Sequence, residues 1–237
     1  MTSPSSNPLS TIQTRIRAAA ERAGRDPASV RLIGVSKGQS FEKILTLAAA
    51  GLRDFGENYV QEWLEKKSLL EKEHPDLATQ LRWHFIGHLQ SNKAAEVLGR
   101  AALVHSVDSL KLARKLSALA VQRNLIQPLL LEVLLAPEAN KSGLTPELLR
   151  QSLKDFASLP GLEYRGLMAL PPAVEEAEAA RPFFRLLKSL LDECNETGFF
   201  AKPLTDLSMG MSQDFEIAVE EGATYVRVGT ALFGPRT

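Results

Sequence analysis

The chain has 237 residues, enough for one or two domains, and its 28 basic and 28 acidic side chains give a formal net charge of zero. A neutral chain has no overall field that would hold nucleic acid or an anionic membrane, so we expect neither as a partner. The single cysteine, Cys194, excludes an internal disulfide and a thiolate metal cluster. Because the first residues are polar and no long apolar run follows, we expect a cytoplasmic protein.

Short apolar runs alternate along the chain with amphipathic stretches. The first amphipathic stretch, Leu9–Ala23, predicts a helix, and residues 1–8 before it are expected to form a flexible tail. The apolar runs predict eight strands, at Val30–Lys37, Asp54–Asn58, Leu81–His88, Leu103–Asp108, Pro128–Leu135, Leu162–Leu170, Leu204–Gly210 and Thr224–Thr230. The stretches between them predict helices at Phe41–Ala50, Tyr59–Lys72, Asn92–Arg100, Leu110–Arg123, Pro146–Leu159, Val174–Thr197 and Gln213–Glu221.

This alternation is typical of a parallel sheet with crossover helices. Eight strand–helix units in 237 residues fit one closed (β/α)8 barrel, a TIM barrel, spanning residues 1–237 as a single domain. An open doubly wound sheet is the alternative. Such a sheet usually carries a glycine-rich fingerprint at its first strand-to-helix turn, and the turn at 35–39 (VSKGQ) has neither that fingerprint nor a Walker motif.

Functional residues of such a barrel collect where strands end, and the loops after the last two strands are its usual phosphate site. Small and hydroxyl-bearing residues occupy both loops here, namely Ser208, Gly210, Ser212, Gly229 and Thr230. They would let a phosphate approach backbone N–H groups, and a helix beginning near Ser212 would direct its positive end toward the anion. An ordinary glycine turn explains the first loop equally well, but the two loops together favour a phosphate site.

Lys37 ends the first predicted strand, which barrel closure places beside the last one. Strand alternation puts Ile33, Val35 and Lys37 on one face. A lysine at a strand end is most often solvated. If this face is the interior one, however, desolvation favours the neutral amine, which is the form that attacks an aldehyde.

A lysine beside a phosphate site indicates a ligand that carries both an aldehyde and a phosphate. Pyridoxal 5′-phosphate (PLP) has these groups on neighbouring ring carbons. A Schiff-base aldolase acting on sugar phosphates would use the same arrangement. Both ligands therefore remain open on the strength of Lys37 and the phosphate loops alone.

Arg227 helps to decide between PLP and a sugar phosphate as the ligand. It alternates with Val226 and Val228, so we expect it to point into the barrel, where a guanidinium must be paired. Its partner is either a core carboxylate, Asp206 or Glu57, or the pyridine nitrogen of a bound cofactor. An arginine would leave that nitrogen unprotonated and weaken the cofactor as an electron sink, which favours mild chemistry or none.

Seven segments together give the chain a family resemblance. It resembles the pyridoxal phosphate homeostasis proteins over nearly its whole length, through Gly34–Lys37, Phe55–Glu62, Trp83–Lys93, Asn140–Gly143, Gly166–Met168, Leu207–Ser212 and Val226–Gly234. The resemblance implies a TIM barrel of PLP fold type III, like the N-terminal domain of alanine racemase, without a second β-domain. It also implies that Lys37 carries PLP covalently as an internal aldimine and that Arg227 meets the pyridine nitrogen. Asn58 and Met168 would then line the ring, and the phosphate contacts would come from Ser208, Met209, Gly210, Ser212, Gly229 and Thr230.

The resemblance further implies a role in PLP homeostasis and in the balance of amino-acid and keto-acid pools, without a classical reaction. Apo-enzymes that use PLP are the expected recipients, and a monomer is expected. An amino-acid racemase is the alternative function. It needs a base on each face of the bound amino acid, and no tyrosine is placed to be the second one, since Tyr59, Tyr164 and Tyr225 lie in strands or at a helix start.

Two further groups have open roles. His84 and His88 are four residues apart, but they lie in a predicted strand and lack an HExxH arrangement, so we predict no metal site. His88 at the strand end faces either ligand or solvent. Lys141, in the loop after the fifth strand, is either a second lysine for cofactor transfer or, more commonly for such a loop, a solvated side chain.

Overall fold

The computed structural model describes residues 7–136 and 142–234. Within these residues eight parallel strands close into a barrel in sequence order, and the first strand pairs with the last. The strands are β1 Arg31–Val35, β2 Asp54–Glu57, β3 Arg82–Phe85, β4 Leu103–Val107, β5 Gln127–Val133, β6 Leu162–Ala169, β7 Asp206–Ser208 and β8 Tyr225–Val228. The predicted TIM barrel is confirmed, and the open sheet is excluded.

Ten helices surround the strands within the described residues. They are α1 Pro8–Arg22, α2 Phe41–Ala49, α3 Val60–Glu73, α4 Pro75–Ala78, α5 Ala94–Val97, α6 Leu110–Gln122, α7 Pro146–Ala157, α8 Arg181–Glu196, α9 Phe215–Glu220 and α10 Thr230–Phe233. None of them is both long and apolar enough to cross a membrane.

The first helix begins earlier than predicted. Asn7 caps α1, because its side-chain oxygen accepts a hydrogen bond of 3.0 Å from the backbone N–H of Leu9, and Pro8 fits the first helical position. Pro8 therefore belongs to the helix and Asn7 caps it, whereas the other residues of the predicted tail, 1–6, lie outside the described part of the chain.

Two other predicted helices are each replaced in part by a 3₁₀ turn. The stretch Val174–Thr197 divides into a 3₁₀ turn at Ala177–Ala180 and α8, whose first turn contains Pro182. A proline is tolerated there because the first N–H groups of a helix have no partner within it. The stretch Asn92–Arg100 forms a 3₁₀ turn at Ser91–Lys93 followed by α5, which ends where Leu98 becomes extended.

Strand alternation divides the barrel into an interior layer and an outer layer. Val226 and Val228 pack outward with the helices. The apolar interior cluster contains Ile33, Leu103, Leu130, Met168 and Tyr225. The predicted inward face of β8 is therefore confirmed, and it directs Arg227 into the barrel. The face of β1 that carries Ile33, which the sequence left open, is also the interior one.

Candidate functional site

A cavity of about 300 Å³ opens at the carboxyl ends of β1, β2 and β8. Its lining brings together six residues singled out from the sequence: Lys37, Asn58, Ser212, Arg227, Gly229 and Thr230. They meet because β1 and β8 are hydrogen-bonded neighbours, with Ile33 in register with Arg227. The predicted juxtaposition of the amine with the two loops is thus present in the structure.

Lys37 lies in a tight turn directly after β1. The turn is closed by a backbone hydrogen bond of 3.0 Å from the N–H of Gln39 to the carbonyl of Ser36. Lys66 of α3 donates to that carbonyl at 2.7 Å, and the N–H of Gly38 donates to Glu62 at 2.6 Å. The segment that carries Lys37 is therefore tied to α3 on both sides.

An ionic cluster of Lys66, Glu57 and Glu62 connects this turn to α3. Lys66 Nζ lies 2.8 Å from Glu57 Oε1 and 2.5 Å from Glu62 Oε1. Burial raises the pKa of Glu57, while Lys66 and the hydroxyl of Ser36 oppose that rise. Lys66 is thus the partner of Glu57, and the predicted alternative in which Glu57 pairs with Arg227 is wrong.

Arg227 is buried inside the barrel at the base of the cavity. Its Nη1 donates to Ser208 Oγ at 2.6 Å, and its Nη2 donates to the carbonyl of Ala169 at 2.9 Å. Asp206, the other predicted carboxylate partner, instead pairs with Arg165 at 2.8 Å, so this alternative is also wrong. Burial lowers the pKa of Arg227 to about 10, which leaves it a cation at neutral pH.

Four of the predicted ligand residues do not line the cavity. Ser208 is buried beneath it against Arg227, and Met209 packs into the outer hydrophobic layer. Gly210 has a φ of +89°, and a Cβ there would lie 2.5 Å from Cβ of Ala218 in α9. A glycine at 210 is therefore required by the close packing of α9.

Met168, the fourth of these residues, lies one layer below the cavity in the interior cluster. Leu170, two residues farther along the same strand face, lines the cavity in its place. Other lining residues were not among those predicted from the sequence, namely Val35, Gln39, Ile86 and Met211. Of these, Val35 was detectable, because alternation places it on the same face as Lys37.

The loop that carries Ser212 is held by Asp214. The carboxylate of Asp214 accepts a hydrogen bond of 2.6 Å from the N–H of Met211, and the N–H of Arg227 donates to the carbonyl of Gly210 at 2.9 Å. α9 begins only at Phe215, so the expectation of a helix starting near Ser212 is corrected to a turn that precedes the helix. Ser212 reaches the cavity from this turn.

Asn58 provides an independent indication of a ligand. Its Oδ1 is buried without a hydrogen-bond partner in the described structure, and Asn58 lines the cavity. The backbone of Gly87 presses against it, since a Cβ on Gly87 would lie 2.2 Å from the carbonyl oxygen of Asn58. An unpaired buried acceptor beside a cationic donor indicates a polar ligand that both donates and accepts hydrogen bonds.

Of the two residues with open roles, the structure describes only His88, which does not line the cavity. His88 is half exposed, and its Nδ1 lies 3.0 Å from a carboxylate oxygen of Asp108 at the end of β4. Lys141 falls outside the described residues. No cluster of potential metal ligands occurs within residues 7–136 and 142–234.

Comparison with known proteins first defines the class. The family model of the alanine racemase N-terminal domain matches residues 8–237, so the chain is a barrel of that class. Pyridoxal phosphate homeostasis proteins from Pseudomonas aeruginosa and Aquifex aeolicus are 46% and 44% identical over 231 and 228 residues. Both alignments cover 96% of this chain, and they cover 94% and 96% of the two relatives.

A solved structure supports the same grouping. PipY of Synechococcus elongatus PCC7942, determined with PLP bound, is 38% identical and has a TM-score of 0.81. The match covers 94% of this chain and 100% of that one. This chain belongs to the pyridoxal phosphate homeostasis protein family.

Proposed function

We propose that this protein binds PLP in the cavity and serves in PLP homeostasis, with Lys37 as the point of covalent attachment. The observation that carries the proposal is the convergence of Lys37, Arg227 and the Gly229–Thr230 loop on one cavity. When bound, the cofactor supplies an aldehyde carbon with which an amine condenses. The relatives named as homeostasis proteins and the PLP-bound PipY support this assignment.

The residues present suit this cofactor. Lys37 supplies the amine, and the protonated Arg227 supplies hydrogen-bond donors for an acceptor such as the ring nitrogen. The hydroxyls of Ser212 and Thr230 and the backbone around Gly229 supply donors for the phosphate. The unpaired oxygen of Asn58 provides an acceptor for a ring hydroxyl.

A visible absorption spectrum tests the proposal. Wild type incubated with PLP and passed through a desalting column is expected to keep a chromophore that borohydride fixes to the chain. Lys37→Ala is expected to lose the fixed chromophore, whereas Lys188→Ala, a surface lysine paired with Asp192, is expected to retain it. A wild type without chromophore would refute PLP binding, and equal trapping in Lys37→Ala would refute the attachment point.

We further propose that the cofactor is held for delivery to apo-enzymes rather than used for turnover. No tyrosine lines the cavity in the described part of the chain, and Tyr225 lies buried beneath it. A racemase would need such a second base. Incubation with single enantiomers of several amino acids is expected to give no interconversion, and sustained racemization would favour the enzymatic alternative.

A further inference from the structure

A line of hydrogen bonds crosses the barrel interior and ends at Arg227. Asp54 Oδ1 lies 3.0 Å from His84 Nε2, and His84 Nδ1 lies 3.0 Å from His105 Nε2. His105 Nδ1 lies 2.8 Å from Ser208 Oγ, which accepts the bond from Arg227. All five side chains are buried, and they come from β2, β3, β4, β7 and β8.

The two ends of this line fix where its hydrogens lie. Arg227 can only donate, so Ser208 accepts from it and has its own hydrogen available for His105 Nδ1. At the other end the carboxylate of Asp54 can only accept, so His84 must donate from Nε2. With both imidazoles neutral, one arrangement satisfies both ends: His84 and His105 each carry their hydrogen on Nε2.

The surroundings favour that neutral arrangement. Burial lowers the pKa of both histidines, and the ring of Tyr225 packs at centroid distances of 5.7 and 5.5 Å from His84 and His105. Arg82 holds the far end, with its Nη2 lying 2.6 Å from Asp54 Oδ2. Nothing in this line touches the cavity directly except Arg227.

We propose that Asp54, His84, His105 and Ser208 are positioning residues that hold Arg227 in one orientation, and that they thereby set its hydrogen bond to the ring nitrogen of PLP. The inference rests on the proposed function. Ser208 accepts from Nη1 and the carbonyl of Ala169 accepts from Nη2, so the remaining N–H groups of the guanidinium have a fixed direction. Loss of His105 would leave the hydroxyl of Ser208 free to rotate and the guanidinium less constrained.

The hydrogen positions are testable without any cofactor. The chain contains four histidines, so single-histidine variants assign their side-chain ¹⁵N signals. At neutral pH, ¹H–¹⁵N correlation spectra of the ligand-free wild type are expected to show His84 and His105 both neutral with hydrogen on Nε2. A charged imidazole, or hydrogen on Nδ1 at either residue, would overturn the proposed direction of the line.

A second experiment tests the effect on Arg227. Affinities are measured for PLP and for a carbocyclic analogue in which C–H replaces the ring nitrogen. Wild type is expected to bind PLP more tightly than the analogue. In His105→Phe the affinity for PLP is expected to fall about tenfold, while the affinity for the analogue stays unchanged. His74→Phe, at an exposed histidine outside the line, is the matched control and is expected to keep the wild-type preference.

The outcomes separate the two proposals. A wild type that binds neither compound would refute the proposed function itself. Equal losses for PLP and the analogue in His105→Phe would show only a structural role and would refute the positioning role. If His105→Phe does not fold, Ser208→Ala removes only the hydroxyl that Arg227 uses, and it is expected to lose the same preference; an unchanged preference there would also refute the positioning role.

Discussion

Glu132 is a carboxylate buried in an otherwise largely apolar strand. It lies in the apolar run of β5, in register with Met168, and its Oε2 is buried without a hydrogen-bond partner in the described structure. Burial raises its pKa to about 7, and the negative charge of Asp108 adds to the rise while Arg227 opposes it. Alternation from Leu130, which faces the interior, would have placed Glu132 inside the barrel.

This raised pKa makes stability depend on pH. Between the usual value of 4.5 and about 7 the folded protein keeps a proton on Glu132 that the unfolded chain releases. Glu132 therefore lowers the free energy of unfolding by about 1.4 kcal/mol for each pH unit in that interval, and the loss is complete above it. Glu132→Gln removes this dependence, so its stability relative to wild type is expected to rise from pH 5 to 7 and then level off.

Urea unfolding at half-unit pH steps measures that difference. Glu163→Gln, at a more exposed carboxylate on the adjacent strand β6, makes the same chemical change outside the barrel interior and is the control. For each variant the free energy of unfolding of the wild type at the same pH is subtracted. The contribution of the other acidic groups therefore cancels. A difference between Glu132→Gln and wild type that stays constant with pH would show that Glu132 is ionised in the folded protein throughout the interval.

At the scale of elements, α3 holds the turn that carries Lys37. Lys66 is the centre of this contact, because it bonds to the carbonyl of Ser36 and to the carboxylates of Glu57 and Glu62. The next lysine on the same helix, Lys67, forms an ion pair at 2.6 Å with Glu71, whose side chain is 55% exposed. Substituting each lysine in turn therefore compares a buried ionic cluster with an ordinary surface ion pair.

Lys66→Met is expected to lower the free energy of unfolding by about 3–5 kcal/mol, because it leaves Glu57 buried without its counter-ion. Lys67→Met is expected to cost less than about 1 kcal/mol, as is usual for an exposed pair. Urea denaturation curves for the two variants measure both effects. Similar small losses in the two variants would mean that the cluster adds nothing beyond surface charge.

The elements also show how far the sequence could predict this fold. Strand order and the inward face of β8 followed from periodicity, because Val226 and Val228 alternate with Arg227. Helix ends were less accurate where a 3₁₀ turn replaces the predicted helix, as before α8, since apolar spacing does not distinguish the two. The partners of Ser208 were not predictable, because His105 is 103 residues away in the sequence.

Considered as a whole, the molecule brings Lys37 and the Gly229–Thr230 loop together only while β1 remains paired with β8. Helix α10 has four residues, and its Leu232 and Phe233 pack close to Gly34 of β1 at this β1–β8 seam. α1 packs against α9 and α10, and its residues Arg15 and Arg22 lie 2.6 and 2.7 Å from Glu216 and Glu220. The N-terminal helix thus packs against the two helices that precede and follow β8 in the chain.

If α1 is part of the cooperative unit, shortening one of its buried side chains must weaken the whole barrel. Ile12 is 2% exposed on the inner face of α1, and Ile12→Ala is expected to lower the free energy of unfolding by about 2–4 kcal/mol in a single transition. Ile126→Ala, at a position that is 70% exposed, makes the same chemical change and should stay within about 0.5 kcal/mol of wild type. An unchanged urea midpoint for Ile12→Ala, with faster hydrogen exchange confined to α1, would instead show that the helix unfolds separately and that the seam closes without it.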